Sequence, residues 1–227
     1  GQGDSMVINL GNNRGIVIDV GPDAVAEDRC LKALGIKEIP LLILSHFHAD
    51  HVAGLPGALN KRTVGQVWVS VNSAPLVESA MAESALAGVE MIKAVRGMSS
   101  RVGPLTIKVL WPTLSATSFE EMPGDGSQIN NSSIATLITS NEFSIFAGGD
   151  IEPPVQQILV KDVFPVDVYK VSHHGSRYQD LAFMAALQPR ISIISVGAGN
   201  TYGHPAVQTL DALARLGSMV LRTDIDG

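Results

Sequence analysis

The stretch Ile39-Pro40-Leu41-Leu42-Ile43-Leu44-Ser45-His46-Phe47-His48-Ala49-Asp50-His51 joins a short apolar run to four side chains that can bind a metal ion. A short, continuous apolar run predicts a buried strand. Gly54, Pro56 and Gly57 follow closely, which places the histidines on a loop between a strand and a helix. Loops at strand ends are where α/β scaffolds hold ligands. Since imidazoles and carboxylates bind zinc and manganese, the stretch predicts a metal site.

The composition is that of a globular protein. The chain has 227 residues, of which 45% are hydrophobic, and this is enough for a large α/β core. No linker-like stretch divides it, so we predict a single domain over residues 1–227. The formal net charge of -6 argues against a broad basic surface for nucleic acid or anionic lipid, although a local basic patch remains open.

Neither a membrane span nor a secretion signal is evident in the sequence. No apolar run approaches the roughly 20 residues that a bilayer span requires, and no signal peptide is recognisable. The single cysteine, Cys30, cannot form an internal disulfide, and we predict it to be a small core residue. The two ends, 1–5 and 222–227, do not look like natural termini, so we expect a domain of a longer protein.

Alternating strands and helices predict an α/β fold in which two mixed β-sheets are flanked by helices. Residues 112–132 are rich in Ser, Thr, Pro, Gly and Asn, which predicts a long loop. The predicted strands are Met6–Leu10, Ile16–Val20, Ile39–Ser45, Val67–Val71, Val89–Lys93, Leu105–Leu110, Ile134–Thr139, Phe143–Ala147, Val166–Val171, Ile191–Val196 and Met219–Arg222. The predicted helices are Ala24–Leu34, Val52–Leu59, Ala74–Ala87, Pro153–Val160, Asp180–Leu187 and Pro205–Leu216.

All six histidines fall in three clusters, and each cluster follows a predicted strand. Two aspartates also follow strand-like runs. Because side chains at successive strand ends can converge on one edge of a sheet, we expect these residues to share a site. The residues are His46, His48 and His51, then His173 and His174, then His204, together with Asp19 and Asp150.

Each of the later residues also has a simpler interpretation. Asp150 could cap the helix that follows it, and Asp19 could be an ordinary turn carboxylate. His174 could merely orient the loop that carries His173, and His204 could cap the next helix. These alternatives stay open at the level of the sequence.

The ordered set Asp19, His46-X-His48-X-Asp50-His51, Asp150 and His173 resembles the metallo-β-lactamase superfamily. Five further motifs look like the C-terminal lactamase-like domain of the ComEC family, the channel proteins of competence DNA uptake. The resemblance covers essentially the whole chain and implies an αββα sandwich that holds two divalent metal ions, manganese or zinc. The motifs are Gly-Gln-Gly-Asp-Ser at 1–5, Gly-Gly-Asp-Ile-Glu at 148–152, Ser-His-His-Gly-Ser at 172–176, Asn-X-Tyr-Gly-His-Pro at 200–205 and Arg-Thr-Asp-X-Asp-Gly at 222–227.

The resemblance also implies a role for each motif residue. His46 and His48 would bind the first metal ion, and Asp50 and His51 the second. Asp150 would bridge the two ions, and His173 would complete the second site. Asp19 would lie behind the ligands and orient them.

Residues around the metal site are candidates for binding substrate. The resemblance implies that Gln2 and Asp4 line the site. Ser176, Arg177 and Tyr178 could contact phosphate, although a plain exposed turn explains them equally well.

One ligand that the superfamily usually supplies is missing. The first site normally has a third histidine, but no histidine occurs between His51 and Asp150. Asn130 and Asn131 lie in the corresponding region, yet neutral amides bind zinc poorly. The first site is therefore predicted to be weaker, rich in water, or suited to a harder ion such as manganese.

The implied function is a metal-dependent phosphodiesterase, a DNA nuclease domain of an uptake channel. Metal-activated hydroxide would attack a phosphodiester, with Asp50, His174 and His204 as the candidate catalytic residues. The expected partners are single- or double-stranded DNA and the rest of the same channel polypeptide, on the extracytoplasmic side of a bacterial membrane.

Two other functions remain open because one fold hosts many chemistries. The domain could hydrolyse another ester, such as a cell-envelope phosphodiester, a lactone or a lactam. It could instead be a non-catalytic, DNA-guiding domain with a degenerate metal site. Lys93, Arg96 and Arg101 could touch a nucleic acid backbone, although a solvated face is the simpler interpretation.

Overall fold

The structure is a computed structural model that describes residues 2–114, 122 and 126–227. The first half of the chain forms a five-stranded sheet in the order β1-β2-β3-β4-β5. β1 is antiparallel to β2, and the other neighbours are parallel. Its strands are β1 (Ser5–Gly11), β2 (Arg14–Val20), β3 (Glu38–Leu44), β4 (Thr63–Val69) and β5 (Glu90–Lys93). The helices of this half are α1 (Ala24–Ala33), α2 (Ala49–Val52), α3 (Leu55–Leu59) and α4 (Leu76–Ala85).

The rest of the chain forms a seven-stranded sheet in the order β12-β11-β10-β9-β8-β7-β6. Strands β6 to β9 are antiparallel, and β9 to β12 are parallel. The strands are β6 (Ser99–Val102), β7 (Leu105–Trp111), β8 (Ala135–Thr139), β9 (Ser144–Ala147), β10 (Val168–Lys170), β11 (Ile191–Ile194) and β12 (Met219–Arg222). The helices are α5 (Ser127–Asn130), α6 (Pro153–Leu159), α7 (Leu181–Leu187) and α8 (Val207–Arg215), with a 3₁₀ turn at Ser172–Gly175.

The packing of β3 shows how the two sheets are buried. Leu41 and Ile43 lie in a core cluster shared with residues of the second sheet. Leu42 and Leu44 pack instead with residues of the surrounding helices. Both faces of the strand are therefore covered, which is why its sequence is continuously apolar instead of alternating. A third cluster joins the second sheet to α6, α7 and α8, so the layers run helix, sheet, sheet, helix. The predicted α/β sandwich is confirmed.

Two glycines let the helices after the histidine motif approach the first sheet. A side-chain carbon on Gly54 would overlap the carbonyl oxygen of Val20, and one on Gly57 would overlap that of Ala24. The Gly54 amide donates to the carbonyl of Gly21 at 2.7 Å. This close contact fixes α2 against the end of β2.

Some elements differ from the prediction. Strand β6 has the polar sequence Ser-Ser-Arg-Val and was not predicted. Helix α5 lies inside the predicted loop 112–132, of which residues 115–121 and 123–125 lie outside the described residues. The prediction that Cys30 is a core residue is wrong: Cys30 is exposed, because α1 buries the face that carries Glu27 and Leu31. Among the described residues, no helix has the length and apolarity of a membrane span.

Candidate metal centre

The candidate residues meet where several strands end. Ser45 follows β3, and its carbonyl accepts from the amide of Ile134 at 2.9 Å. The loop after β9 is tied to the loop after β10, because the His173 amide donates to the carbonyl of Gly149 at 3.1 Å. Gly149 has a φ of +56°, and a side-chain carbon there would lie 2.8 Å from the Ser45 hydroxyl. These contacts hold the ends of β3, β9 and β10 close together on one side of the site.

Asp19 fixes the orientation of His51. Its Oδ1 accepts from the Ser45 amide at 2.7 Å, and its Oδ2 accepts from the Ser45 hydroxyl at 2.7 Å. The same Oδ2 lies 2.9 Å from Nδ1 of His51. With Nδ1 held by a carboxylate, Nε2 of His51 is left free to face the other candidate ligands. Asp19 is thus part of a buried network and not an ordinary turn carboxylate.

His46 and His48 present ring nitrogens to each other. Nε2 of His46 lies 3.0 Å from Nδ1 of His48, while Nδ1 of His46 is held near the hydroxyls of Ser45 and Ser133 at 3.1 and 3.2 Å. Burial, together with the charge of His51, lowers the pKa of His46 well below its usual value. Burial also lowers the pKa of His48. Neutral imidazoles with converging nitrogens are suited to metal binding.

Asp150 lies at the centre of the cluster. Its Oδ2 is 3.3 Å from Nε2 of His51 and 3.5 Å from Nε2 of His174. Burial alone would raise the pKa of Asp150, but the charges of His51 and His174 outweigh it and hold the pKa well below its usual range. The N-cap of α6 is Glu152, so the helix-cap interpretation of Asp150 is not supported.

The two neighbouring histidines of the 3₁₀ turn have different surroundings. Nε2 of His174 is 3.2 Å from Oδ2 of Asp50, and its Nδ1 lies 3.0 Å from the Ser195 carbonyl. Nε2 of His173 is 3.9 Å from Asp150, and its Nδ1 is 3.3 Å from Glu152. Both histidines have φ near +50°. Such backbone strain in residues other than glycine occurs mainly where a functional site demands it.

The resemblance implied that Asp4 lines the site. In the structure Asp4 lies behind the candidate ligands and is not among the residues that line the cavity next to them. Its Oδ2 is 2.7 Å from Nζ of Lys170, and its Oδ1 is 3.3 Å from Nδ1 of His174. Burial would raise the pKa of Asp4, but the charges of Lys170 and His174 outweigh it and lower the pKa. Asp4 and Lys170 therefore form a buried ion pair that supports the far side of the His174 ring.

Unsatisfied buried atoms show that the cluster fits a metal ion. Ligand atoms of His46, His51 and Asp150 lie within 4.8 Å of one another, as do those of Asp50, His51 and His174. Among the described residues, Nε2 of His51, Nε2 of His174 and Oδ1 of Asp150 have no hydrogen-bond partner. Buried polar atoms without partners are costly. A divalent cation among these nitrogen and carboxylate donors would satisfy them.

The cluster forms the floor of a cavity of about 800 Å³. Gln2, Ser176, Arg177, Tyr178 and His204 line its walls, as does Tyr202. The rings of Tyr202 and His204 are stacked, with centroids 6.2 Å apart. The Arg177 guanidinium lies 5.9 Å from the Tyr178 ring centroid. Among the described residues, the rim therefore offers the guanidinium of Arg177 and the two tyrosine rings.

His204 faces the cavity and does not cap the next helix. The N-cap of α8 is Ala206, and no side chain of the described residues caps this helix end. Burial, together with the charges of His173 and His174, lowers the pKa of His204 to about 4. His204 is therefore neutral at pH 7. Its ring N–H can donate a hydrogen bond to a substrate oxygen, but the neutral ring is a poor general acid.

The predicted basic stretch lies away from the cavity. Lys93, Arg96 and Arg101 are not among the residues that line it, and Arg96 is paired with Asp162 at 2.9 Å. Sequence reasoning missed two other residues near the ligands, Lys170 and Glu152. Lys170 carried a signal, since its charge lies between Tyr169 and Val171 near the end of the predicted strand Val166–Val171. Glu152 ends the motif Gly-Gly-Asp-Ile-Glu at 148–152, which indicated the family but assigned no role to this glutamate.

Comparison with known proteins identifies the family of the chain. A profile of the metallo-beta-lactamase superfamily matches residues 1–197. The chain is 32% identical over its whole length to ComE operon protein 3 of Bacillus subtilis and 24% identical to competence protein ComA of Neisseria gonorrhoeae. It spans 31% and 30% of these proteins. The resemblance to the ComEC family is thereby confirmed.

Likeness to a solved structure supports the fold. The metallo-beta-lactamase fold protein YhfI of Bacillus subtilis superposes with a TM-score of 0.63 at 12% identity. The match covers 98% of this chain and 89% of YhfI. Because a family profile covers most of the chain and the predicted sandwich is observed, the chain belongs to the metallo-beta-lactamase superfamily.

Proposed function

We propose that this domain is a metal-dependent phosphodiesterase that cleaves DNA in a competence DNA-uptake channel. The observation that carries the proposal is the open cavity above the cluster of ligand atoms. The floor presents buried nitrogen and carboxylate atoms that lack hydrogen-bond partners within the described part of the chain, and the rim presents Arg177, Tyr178 and Tyr202. The candidate metal site and the Arg177 guanidinium suit the phosphate of a nucleotide, and the two tyrosine rings suit its bases.

The relatives support the choice of DNA as the substrate. One of them is named a competence protein and another is the product of the ComE operon, and competence is the uptake of DNA. The expected partners are therefore DNA and the remainder of a channel polypeptide. We further propose that the domain lies on the extracytoplasmic side of a bacterial membrane, as the resemblance to the ComEC channel family implies.

The geometry suggests which residues hold the ions. His46, His48 and Asp150 would hold a first ion. Asp50, His51 and His174 would hold a second, with Asp150 shared between them. The resemblance implied His173 for the second site, but His174 is closer to Asp50 and its other ring nitrogen is held by a backbone carbonyl. A ligand imidazole normally has such a partner.

When bound, a pair of divalent ions would supply Lewis acidity and a water molecule of lowered pKa. The chain's own side chains would bind and orient the substrate. Arg177 would pair with a phosphate oxygen, and neutral His204 would donate a hydrogen bond to a second one. Asp50 has a side chain that is 34% exposed to the cavity. Its carboxylate would accept a proton from the attacking water.

The test is a cleavage assay on the purified domain with labelled single- and double-stranded oligonucleotides and Mn²⁺, Zn²⁺ or Mg²⁺. We expect cleavage with at least one ion, its loss on chelation, and a loss of at least about 100-fold in the variant His48→Ala. The exposed arginine variant Arg101→Ala is the control and should keep full activity.

Two outcomes would contradict the proposal. If DNA binds but no ion supports turnover, the domain guides DNA without cleaving it. If DNA neither binds nor is cleaved while chromogenic esters are hydrolysed, the substrate is a different ester.

A further inference from the structure

Two glutamines behind the cavity wall form a hydrogen-bonded pair that the proposed mechanism does not use. Gln156 lies on α6 and is fully buried, and Gln179 lies in the segment between the 3₁₀ turn and α7. Nε2 of Gln156 donates to Oε1 of Gln179 at 3.0 Å. Neither residue is among those that line the cavity. Any effect of the pair on the site must therefore act through the residues that the pair holds.

The direction of both side-chain amides is fixed by a backbone donor. The amide of Asp180 donates to Oε1 of Gln156. Because a backbone N–H can only donate, this atom of Gln156 must be the oxygen, and its nitrogen must face Gln179. The same nitrogen also donates to the carbonyl of Ile151 at 2.8 Å. Gln179 is therefore oriented with its oxygen towards Gln156 and its nitrogen towards the 3₁₀ turn.

The nitrogen of Gln179 holds both ends of the turn that carries His173 and His174. It donates to the carbonyl of Ser172 at 2.9 Å and to that of Ser176 at 3.4 Å. Ser172 is the first residue of the turn, and Ser176 directly follows it. Both histidines have positive φ, and such backbone strain persists only where the surrounding structure fixes it. Gln179 thus fixes the strained turn on both sides of the histidines.

The pair also ties this turn to the loop that carries Asp150. Ile151 directly follows Asp150, and its carbonyl accepts from Gln156. A continuous path of hydrogen bonds therefore runs from Ile151 through Gln156 and Gln179 to the turn. Oδ2 of Asp150 lies 3.5 Å from Nε2 of His174. The relative placement of the loop and the turn decides whether these two candidate ligands converge.

We infer that Gln179 is a positioning residue for the proposed phosphodiesterase. Together with Gln156 it holds the two histidines of the 3₁₀ turn in the place, relative to Asp150, that turnover requires. The inference rests on the proposed function. Apolar side chains of similar size would leave the turn without these donors, and a misplacement of about 1 Å can reduce a rate by about 100-fold. The long side chain of Arg177 is exposed and can adjust, so substrate binding should be affected less than turnover.

The first measurement is independent of activity and uses the metal-free domain in EDTA. Amide hydrogen exchange is followed by NMR for Ser176, whose amide donates to the His173 carbonyl at 2.8 Å, and for Val171, whose amide donates to the Ile193 carbonyl at 2.9 Å. We expect Gln179→Met to raise the exchange rate of the Ser176 amide by about tenfold or more and to leave that of Val171 unchanged. The ratio of the two rates distinguishes loosening of the turn from a general loss of stability.

The second measurement is the steady-state cleavage of a labelled single-stranded oligonucleotide by the metal-loaded domain. We expect Gln179→Met and Gln156→Met to reduce kcat by about tenfold or more, with a change in KM of less than about threefold. The control is Leu159→Ala, a change at a fully buried core residue of the same helix α6. It should lower the melting temperature, because it leaves a cavity, but should keep both the exchange ratio and kcat.

Other results would overturn the inference. An unchanged exchange ratio in Gln179→Met would show that the turn does not depend on the glutamine pair. A loss of kcat in Leu159→Ala as large as that in Gln179→Met would show that the effect is general destabilisation. If the wild type cleaves DNA and Gln179→Met keeps its kcat, only this inference fails. If the wild type cleaves no DNA with any ion, the proposed function fails, and this inference fails with it.

Discussion

At the scale of single residues, the Asp4–Lys170 pair is a charged contact that holds the site from behind. The two side chains are each 5% exposed and lie 2.7 Å apart. We expect Lys170→Met to reduce the free energy of unfolding by about 3–5 kcal/mol, because it leaves the Asp4 carboxylate buried without its cation. The double variant with Asp4→Asn should recover most of this loss, since no charge is then left unpaired.

Urea denaturation in EDTA measures this effect without a contribution from metal binding. The matched control is Arg14→Met, which breaks an ion pair to Glu38 whose side chains are 41% and 49% exposed. Arg14→Met should reduce the free energy of unfolding by less than about 1 kcal/mol. A Lys170→Met variant as stable as the control would disprove the role assigned to the buried pair.

Glu27 predicts a pH dependence of stability. It is buried in α1 and accepts a hydrogen bond from Ser5 at 2.8 Å. Burial raises the pKa of Glu27 to about 7, against the opposing effects of Ser5 and Arg62. The folded state binds this proton more tightly than the unfolded state does. The contribution of protonated Glu27 to the free energy of unfolding is therefore fully present below about pH 4.5 and is lost as the pH rises through about 7.

We therefore expect the free energy of unfolding of the wild type to fall relative to Glu27→Gln between about pH 4.5 and 7. This fall should be on the order of 3 kcal/mol. Above this range, the difference in free energy of unfolding between the two proteins should be constant. Denaturation of both proteins at a series of pH values measures it. Parallel curves across the range would show that Glu27 titrates normally.

At the scale of elements, the seating of α2 and α3 depends on Gly54. The close approach to the Val20 carbonyl leaves no room for a side chain. We expect Gly54→Ala to destabilise the domain by more than about 2 kcal/mol, because overpacking forces the backbone to shift. Metal affinity should fall too, since His51 lies on α2. The neighbouring exposed position offers a control, Ala53→Ser, which should alter neither quantity.

The elements also show what a sequence can and cannot predict. The continuous apolar run of β3 and the hairpin of β1 and β2 were predictable because their patterns are local. Helix α5 and strand β6 have four residues each, which is too short for a period to be read. The contact of Asp4 with Lys170 spans 166 residues, and the positive φ values of His173 and His174 are imposed by tertiary packing. The sequence thus indicated the ligand types and, through the family resemblance, the supporting role of Asp19, but not the contact between Asp4 and Lys170.

At the scale of the whole molecule, the net charge of -6 limits how DNA can bind. For the proposed binding of DNA, a chain of this net charge offers little general attraction to phosphates, so we expect the cavity rim to carry much of the contact. Arg177 is the one arginine among the described residues that line the cavity. Its contribution should therefore be visible in the salt dependence of DNA binding.

We expect Arg177→Ala to reduce the slope of log binding constant against log salt concentration by about 1, the contribution of one phosphate contact. Fluorescence anisotropy with a labelled single-stranded oligonucleotide in EDTA measures the slope without cleavage. Arg101→Ala removes an equal charge at an exposed position that is not among the residues lining the cavity, and it should leave the slope unchanged. Equal slopes for the two variants would mean that DNA binds on another surface of this acidic domain.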